Sequence, residues 1–489
     1  MLTFLGIIAG VMSLVVIGTM LYGFLFKGEM LLSWRNFFLL GFFQFYTIAT
    51  FWAARVEFYS EIYNPTGTGY FSLAISIPLF FAIFMACYGL AKNWTWPSRL
   101  VPRAALPVTT SSVLICALTF AGLVALSIPL VGGSYADSII VFCRTNMASA
   151  AAALMFYLVI SNWRNPLWWA LFIPVFIMAV IISVVGSIDR RNFLSVFFGL
   201  AFVYYFAKLR YEKPSRVLGK MAVLGAVTFL CLIIYNSGRH KLGWSGATFG
   251  NRQNQILELA KNPDFSARNV FQELLLQDTP LNTVCLMEIV PSDIEYYPLH
   301  GAYFYIVNPI PRTIFPTKPR ALGIVLQERL QVQANLGCGI IGHGWYEAGW
   351  IGIVYYAIAF GFICAIVDRL LRERGDNPFF VVAFGCSLGN VLGLPRGETS
   401  MFFDMITAGF VICLLGFTFL GYVFRPYMLV GKPIVMNPHL TDHQQDDDHA
   451  PEWQEGYEHE AAEAAAAYGE LPAAGALVPA RAQRDPDEP

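Results

Sequence analysis

The chain has 489 residues, of which 56% are hydrophobic and only 13% charged, against roughly a quarter charged in a soluble domain. A single core cannot hide that much apolar surface from water, which excludes a soluble enzyme, a disordered chain and a disulfide scaffold and leaves the bilayer as solvent for most of the length. Charge is segregated: residues 437–489 hold 13 Asp/Glu and two Arg, −11 of a whole-chain net of −1, so the first 436 residues carry +10.

Eleven apolar runs predict membrane-crossing helices, with approximate cores at 3–26, 35–54, 70–91, 108–131, 139–161, 166–186, 192–208, 219–236, 346–367, 378–394 and 401–422. The first lacks a basic leader and a small-residue cleavage site and is expected to be a retained span. The predicted fold is an all-α polytopic membrane protein. Its body is 1–436, with one large loop, 237–345, between the eighth and ninth spans. The tail, 437–489, is acidic and rich in Ala, Glu and Pro, a composition that predicts disorder or at most a short fluctuating helix.

Lys/Arg bias sets the expected orientation. An outside N-terminus gives sixteen Lys/Arg to the cytoplasmic connections and four (Arg55, Arg190, Arg191 and Arg396) to the short external ones. The tail is then cytoplasmic and the large loop external. Within that loop, 253–260 and 267–276 show one-sided apolar patterning and predict helices that lie on the lipid surface or cap the bundle.

Outside the tail the chain has three histidines, His240, His300 and His343, and all lie in this loop. The loop also holds Arg239, Lys241, Arg252, Lys261, Arg268, Arg312, Lys318, Arg320 and Arg329. Such a cluster is either a solvated basic surface or an anion site, for which Arg supplies paired donors and a permanent charge. Its densest part is Asn308-Pro-Ile-Pro-Arg-Thr-Ile-Phe-Pro-Thr-Lys-Pro-Arg320. Four prolines fix that backbone, which suits a site that must grip a diphosphate with preorganised charge.

The loop leaves through Gly342-His-Gly-Trp-Tyr-Glu-Ala-Gly-Trp-Ile-Gly352. This places His343 and Glu347 at i, i+4, on one face of a helix that begins there. Glu347 is either a water-facing interfacial residue or a functional carboxylate. Two short external connections, Gly186-Ser-Ile-Asp-Arg-Arg191 and Pro395-Arg-Gly-Glu398, add Arg beside an acid. Arg144, inside the fifth run, either snorkels or pairs within the bundle. Cys285 and Cys338 lie in the external loop, where a disulfide is possible but not fixed by spacing. No Cys-x-x-Cys or local His/Cys cluster is present, so no metal site is expected.

The run Pro311, Arg312, Phe315, Pro316, Lys318 and Pro319 resembles the P-R-x-x-[WF]-P-x-K-P segment of the O-antigen polymerase (Wzy) family of bacterial repeat-unit polymerases. Arg312 to Gly323 and Arg239 to Gly250 match the Arg-x10-Gly spacing of some members, and Gly342, Gly349 and Gly352 match a glycine pattern at the loop exit. The match departs at His343, where the family pattern has Glu, and at Glu347, where it has Asn.

This resemblance implies a GT-C-like, inverting glycosyltransferase of the bacterial inner membrane. It implies undecaprenyl-diphosphate-linked oligosaccharides as donor and acceptor, and neither metal nor nucleotide sugar as a requirement. Arg239, Arg312, Lys318 and Arg320, with Arg191 and Arg396 behind them, are the expected diphosphate-binding residues. Glu347, His343 and His240, in that order, are the expected general bases. Partners would be the lipid bilayer and, for the tail, a chain-length regulator or other assembly protein; no nucleic acid is expected. Three other readings stay open. One is a ligase-type glycan transferase. Another is a polyprenyl-monophosphate-sugar transferase using Glu57 and Glu61, and the last is a lipid-linked glycan transporter.

Overall fold

The computed structural model describes residues 1–55, 67–100, 106–127, 135–187, 190–239, 277–331, 336–429 and 434. The chain divides into a body, Met1–Ile434, and a second unit, Val435–Pro489, which lies outside the described residues together with the predicted helices at 253–260 and 267–276. The described residues fold into helices and contain no β-strand.

The main helices are α1 (Leu2–Lys27), α2 (Trp34–Arg55), α3 (Gly67–Ala91), α4 (Thr110–Ser127), α5 (Tyr135–Ser161), α6 (Pro166–Ser187), α7 (Arg190–Ala207) and α8 (Pro214–Arg239). After them come α9 (Thr279–Ile289), α10 (His300–Val307), α11 (Leu322–Leu330), α12 (Gly339–Arg374), α13 (Pro378–Gly385), α14 (Leu388–Gly393) and α15 (Thr399–Val423).

Among the described residues, nine helices are long and apolar enough to cross a membrane: α1 to α6, α8, α12 and α15. The chain is in this respect a multi-pass membrane protein. Two of the eleven predicted spans differ. The run at 192–208 is α7, whose first turn, Arg190-Arg191-Asn192, makes it too polar to count with the nine. The run at 378–394 is interrupted at Cys386-Ser387 and forms two short helices, α13 and α14.

Burial ranks the spans. In α5, 83% of the Cys143–Ser161 window is buried, so it is a central helix; in α8 only 17% of Pro214–Ile233 is, so it is peripheral. Outward residues such as Leu14, Ile177, Val223, Leu415 and Phe419 are exposed apolar groups, the surface that a lipid environment accommodates. Inside, α2, α3 and α12 meet through stacked rings: Phe38 lies 4.8 Å from Phe84 and 5.8 Å from Phe360, and Phe42 lies 5.5 Å from Phe80. Where α1 turns into α2, Asp368 of α12 accepts hydrogen bonds from the Trp34 and Arg35 backbone N–H groups and from Tyr88 Oη of α3. It satisfies donors that the start of a helix leaves open.

Two irregularities shape the opposite side of the bundle. The middle of α2, Phe43–Ile48, is a π-helical turn, and it presents Tyr46. The buried Tyr46 hydroxyl donates to Cys338 O (2.9 Å) and accepts from Ile341 N (3.1 Å), which seats the start of α12 inside the bundle. The second irregularity is in α12, which is not one continuous helix. Ala348 (φ −161, ψ 31) and Gly349 (φ 58, ψ −130) break it. Residues 344 and 352 would stand about 12 Å apart in a straight helix. Here a Cβ on Gly344 would lie 2.7 Å from Ile353 N and 2.8 Å from Gly352 C. The leading segment, 339–347, therefore folds back onto the span that follows, and glycine at 344 and 352 permits the crossing.

Gly352→Ala, which would drive a methyl into the Gly344 carbonyl, is expected to cost about 1–3 kcal/mol, the range for overpacking. Gly18→Ala in α1 meets nothing within 4 Å and is expected to leave stability unchanged or slightly improved. Thermal unfolding of both variants in one detergent measures the contrast.

Candidate functional site

The fold-back of α12 brings three separate stretches of chain together. The leading segment of α12 carries His343 and Glu347, the start of α10 carries His300 and Gly301, and the turn before α15 carries Glu398. Leu299 enters α10 in a left-handed conformation (φ 58), which swings His300 inward. His300, His343 and Glu347 are 2%, 0% and 3% exposed, so this is an interior site.

Glu347 is held by two donors on one oxygen. Its Oε1 accepts from Gly301 N–H (2.6 Å) and from Tyr356 Oη (2.6 Å). Gly301 is required at this point: a Cβ there would come within 2.8 Å of both Glu347 Oε1 and Ser400 Oγ. One turn earlier, His343 Nε2 approaches Glu398 Oε1 to 2.8 Å. Glu398 Oε2 accepts from Gly323 N–H (3.3 Å) at the start of α11. His300 Nε2 is 2.9 Å from the carbonyl of Arg320, and its ring centroid lies 6.2 Å from that of His343.

The electrostatics follow from burial and these neighbours. Burial lowers the pKa of His300, and the nearby His343 lowers it further. Burial alone would raise Glu398, but His343, then His300 and the Gly323 N–H, outweigh it and hold the carboxyl below its ordinary value.

Over this site lies the proline-rich loop, and its cations do not all face outward. Lys318 is buried, and its ammonium donates to Asn308 O (2.5 Å) and Ile310 O (3.3 Å). Burial, then the nearby Arg312, lowers its pKa. Arg312 donates through its two terminal nitrogens to Lys318 O (2.9 Å) and Pro319 O (3.0 Å). Both side chains hold the loop in shape. Four prolines remove four backbone donors from this stretch, so side chains complete the hydrogen bonding of its carbonyls. Arg320 is exposed and ion-paired with Glu328.

The remaining predicted residues are placed as follows. Arg191 stacks on Phe402 at 4.0 Å and packs beside Gly393. Arg396 lies 3.9 Å from Asp278 and 5.8 Å from the Phe45 ring. The side chain of Arg239, and all of His240, Glu57 and Glu61, lie outside the described residues. Arg144 is 2% exposed, so it is enclosed by the bundle and does not snorkel. Cys285 and Cys338 are buried free thiols; burial pushes Cys285 up to about 12.

The structure thus joins His343 and Glu347 with three groups that sequence spacing does not connect to them: His300, Tyr356 and Glu398. The available signals were compositional, since every histidine outside the tail falls in one loop and Glu398 sits at a short charged connection. The metal expectation also changes. His300, His343 and Glu398 offer ligand atoms all within 4.8 Å of one another, a group that could hold a metal ion. Their separations of 43 and 55 residues fit no local ligand motif. No family model, curated protein or solved structure matches the chain.

Lys318→Met removes the internal clamp while keeping the stem's bulk. Hydrogen bonds from a charged donor contribute about 1.5–3 kcal/mol each, so amide hydrogen exchange across 308–320 is expected to quicken by at least about tenfold. Arg320→Ala, at an exposed ion pair, is expected to leave exchange there nearly unchanged.

Proposed function

We propose that the chain is a membrane glycosyltransferase that polymerises polyprenyl-diphosphate-linked oligosaccharide repeat units into a surface polysaccharide. The carrying observation is the buried carboxylate of Glu347, fixed through Oε1 by Gly301 N–H and Tyr356 Oη, beneath a proline-braced cationic loop on an apolar helical bundle. The resemblance of Pro311–Pro319 to the repeat-unit polymerases supports the same reading. In this reading α7, and α13 with α14, also cross the membrane, and the Lys/Arg bias of the eleven apolar runs then favours this side of the bundle facing outward from a bacterial inner membrane.

The chemistry needs a base and a leaving-group site. An acceptor-sugar hydroxyl attacks the anomeric carbon of the donor from the face opposite the diphosphate. The new C–O bond forms as the bond to the diphosphate oxygen breaks, which inverts the centre. Glu347 Oε2 takes the hydroxyl proton, and Oε1 keeps the carboxylate oriented. Polyprenyl diphosphate leaves with the electron pair of the broken bond. Cations held in place before the reaction stabilise that growing charge without reorganising. Arg320 and the outer edge of Arg312 serve this role, with Arg396 and Arg191 on the flanking turns. Arg239 belongs to the same proposed set. Lys318 acts through the shape of the loop, because its ammonium is taken up by Asn308 and Ile310. The lipid tails of both substrates lie against the apolar spans, and a chain-length regulator is the partner class expected for such an enzyme.

Purified protein incubated with a polyprenyl-diphosphate repeat unit is expected to yield a ladder of products on a gel. Glu347→Gln keeps an oxygen for the Gly301 and Tyr356 donors but cannot accept the proton, so the rate is expected to fall about 10²–10⁴-fold at unchanged protein abundance in the membrane. Full-length ladders from this variant would rule out Glu347 as the base. A wild-type protein that moves the intact lipid across vesicles without forming new glycosidic bonds would overturn the enzyme reading.

A further inference from the structure

We infer that His300, His343 and Glu398 form a binding site for one divalent transition-metal ion, with zinc the ion that best suits the donors. The three side chains come from α10, α12 and the turn before α15, and the ligand atoms lie within 4.8 Å of one another. His300 Nδ1 and His343 Nδ1 are buried without a hydrogen-bond partner, while His343 Nε2 and Glu398 Oε1 face each other at 2.8 Å. His300 and His343 are 2% and 0% exposed. Buried nitrogens are nearly always satisfied, so the unpartnered His300 Nδ1 beside the His343–Glu398 pair calls for a ligand.

His343 Nε2 stands 2.8 Å from Glu398 Oε1, so the two side chains are ion-paired. A metal ion would take the place of the shared proton in this pair and add His300 as a third ligand. Two imidazoles and one carboxylate match the three-ligand zinc sites that keep a fourth position open, with ligand distances of about 2.0–2.2 Å. Drawing the atoms from their present spread to that geometry requires side-chain shifts of about 1 Å.

Two of the three side chains already have an outer partner in place; His343 Nδ1 has none. His300 turns its other nitrogen to the Arg320 carbonyl (2.9 Å), which leaves Nδ1 as the lone-pair atom. Glu398 turns its other oxygen to the Gly323 N–H (3.3 Å). Ligating histidines almost always donate the second ring N–H in this way, and ligating carboxylates are hydrogen-bonded in turn. A metal here would present a Lewis-acid position to an oxygen ligand such as a sugar hydroxyl or a diphosphate oxygen.

The inference does not rest on the proposed reaction, and its test reads metal rather than product. Full-length protein purified in detergent without added metal is assayed for transition metals by mass spectrometry, then stripped with a strong chelator and titrated with Zn2+ and with Co2+. About one equivalent of zinc per chain is expected, together with visible absorption from tetrahedral Co2+ after exchange. His343→Ala and Glu398→Gln are each expected to weaken binding by more than the about 10–100-fold that loss of an outer partner costs. Glu328→Gln, which removes only an exposed ion pair, is expected to bind normally. Should either ligand variant fail to fold, wild-type protein decides alone: Zn2+ must raise the melting temperature of stripped protein. Absence of both uptake and stabilisation, or ligand variants that bind like wild type, would overturn the site and leave a bare His343–Glu398 pair. A ladder made by metal-free protein would leave the polymerase reading intact.

Discussion

The break at Ala348-Gly349 is the constraint on which the site depends. In a continuous helix Glu347 and Tyr356 would be about 13 Å apart along the axis, and His343 and Tyr356 about 20 Å. In the structure Tyr356 Oη is 2.6 Å from Glu347 Oε1, and the Tyr356 and His343 rings are 6.2 Å apart. Only a reversal of direction gives these distances. The reversal needs a residue that tolerates positive φ, met by Gly349 (φ 58), and two facing positions without side chains, met by Gly344 and Gly352. A straight span would have left His343 and Glu347 in line along one helix face, with no common pocket.

Reversing a helix inside a bundle exposes backbone groups that a bilayer cannot hydrate. The surrounding elements take them up. Tyr46, presented by the π-helical turn of α2, serves Cys338 O and Ile341 N. Thr283 of α9 adds a second donor to Cys338 O at 2.7 Å. On the other flank Tyr297 N–H donates to Tyr346 O (3.1 Å). The irregular middle of α2 and the folded-back start of α12 are therefore complementary: the first supplies the hydroxyl that the second requires.

Much of the bundle was legible in the sequence because bilayer crossing imposes length and apolarity together. The runs that diverged did so for local reasons. Arg190-Arg191-Asn192 polarise the start of α7, and Cys386-Ser387 divides α13 from α14. The loop exit was legible as well, since glycine-rich chain carrying His343 and Glu347 at a span mouth is an unusual use of polar residues. The partners of those residues were not. His300 and Glu398 reach the site only through tertiary packing, and neither spacing nor periodicity records that. Nor could the sequence tell which way the cations of 308–320 point. A proline-rich loop with Lys and Arg reads as rigid displayed charge. The same prolines leave carbonyls without backbone donors, and Lys318 and Arg312 answer that local demand first.

These internal bonds tie the loop to the site beneath it. Arg312 and Lys318 fix the loop up to Pro319; the next residue, Arg320, holds His300 by its carbonyl; three residues on, Gly323 holds Glu398 by its N–H. Six consecutive residues, 318–323, thus set the cationic surface above and two of the three converging side chains below. Displacing this stretch shifts His300 and Glu398 together, because both are anchored to its backbone. An anion drawn to the Arg320 side chain must compete with Glu328 for it. The loop and the buried His/Glu group are in this sense joined through one short stretch of backbone.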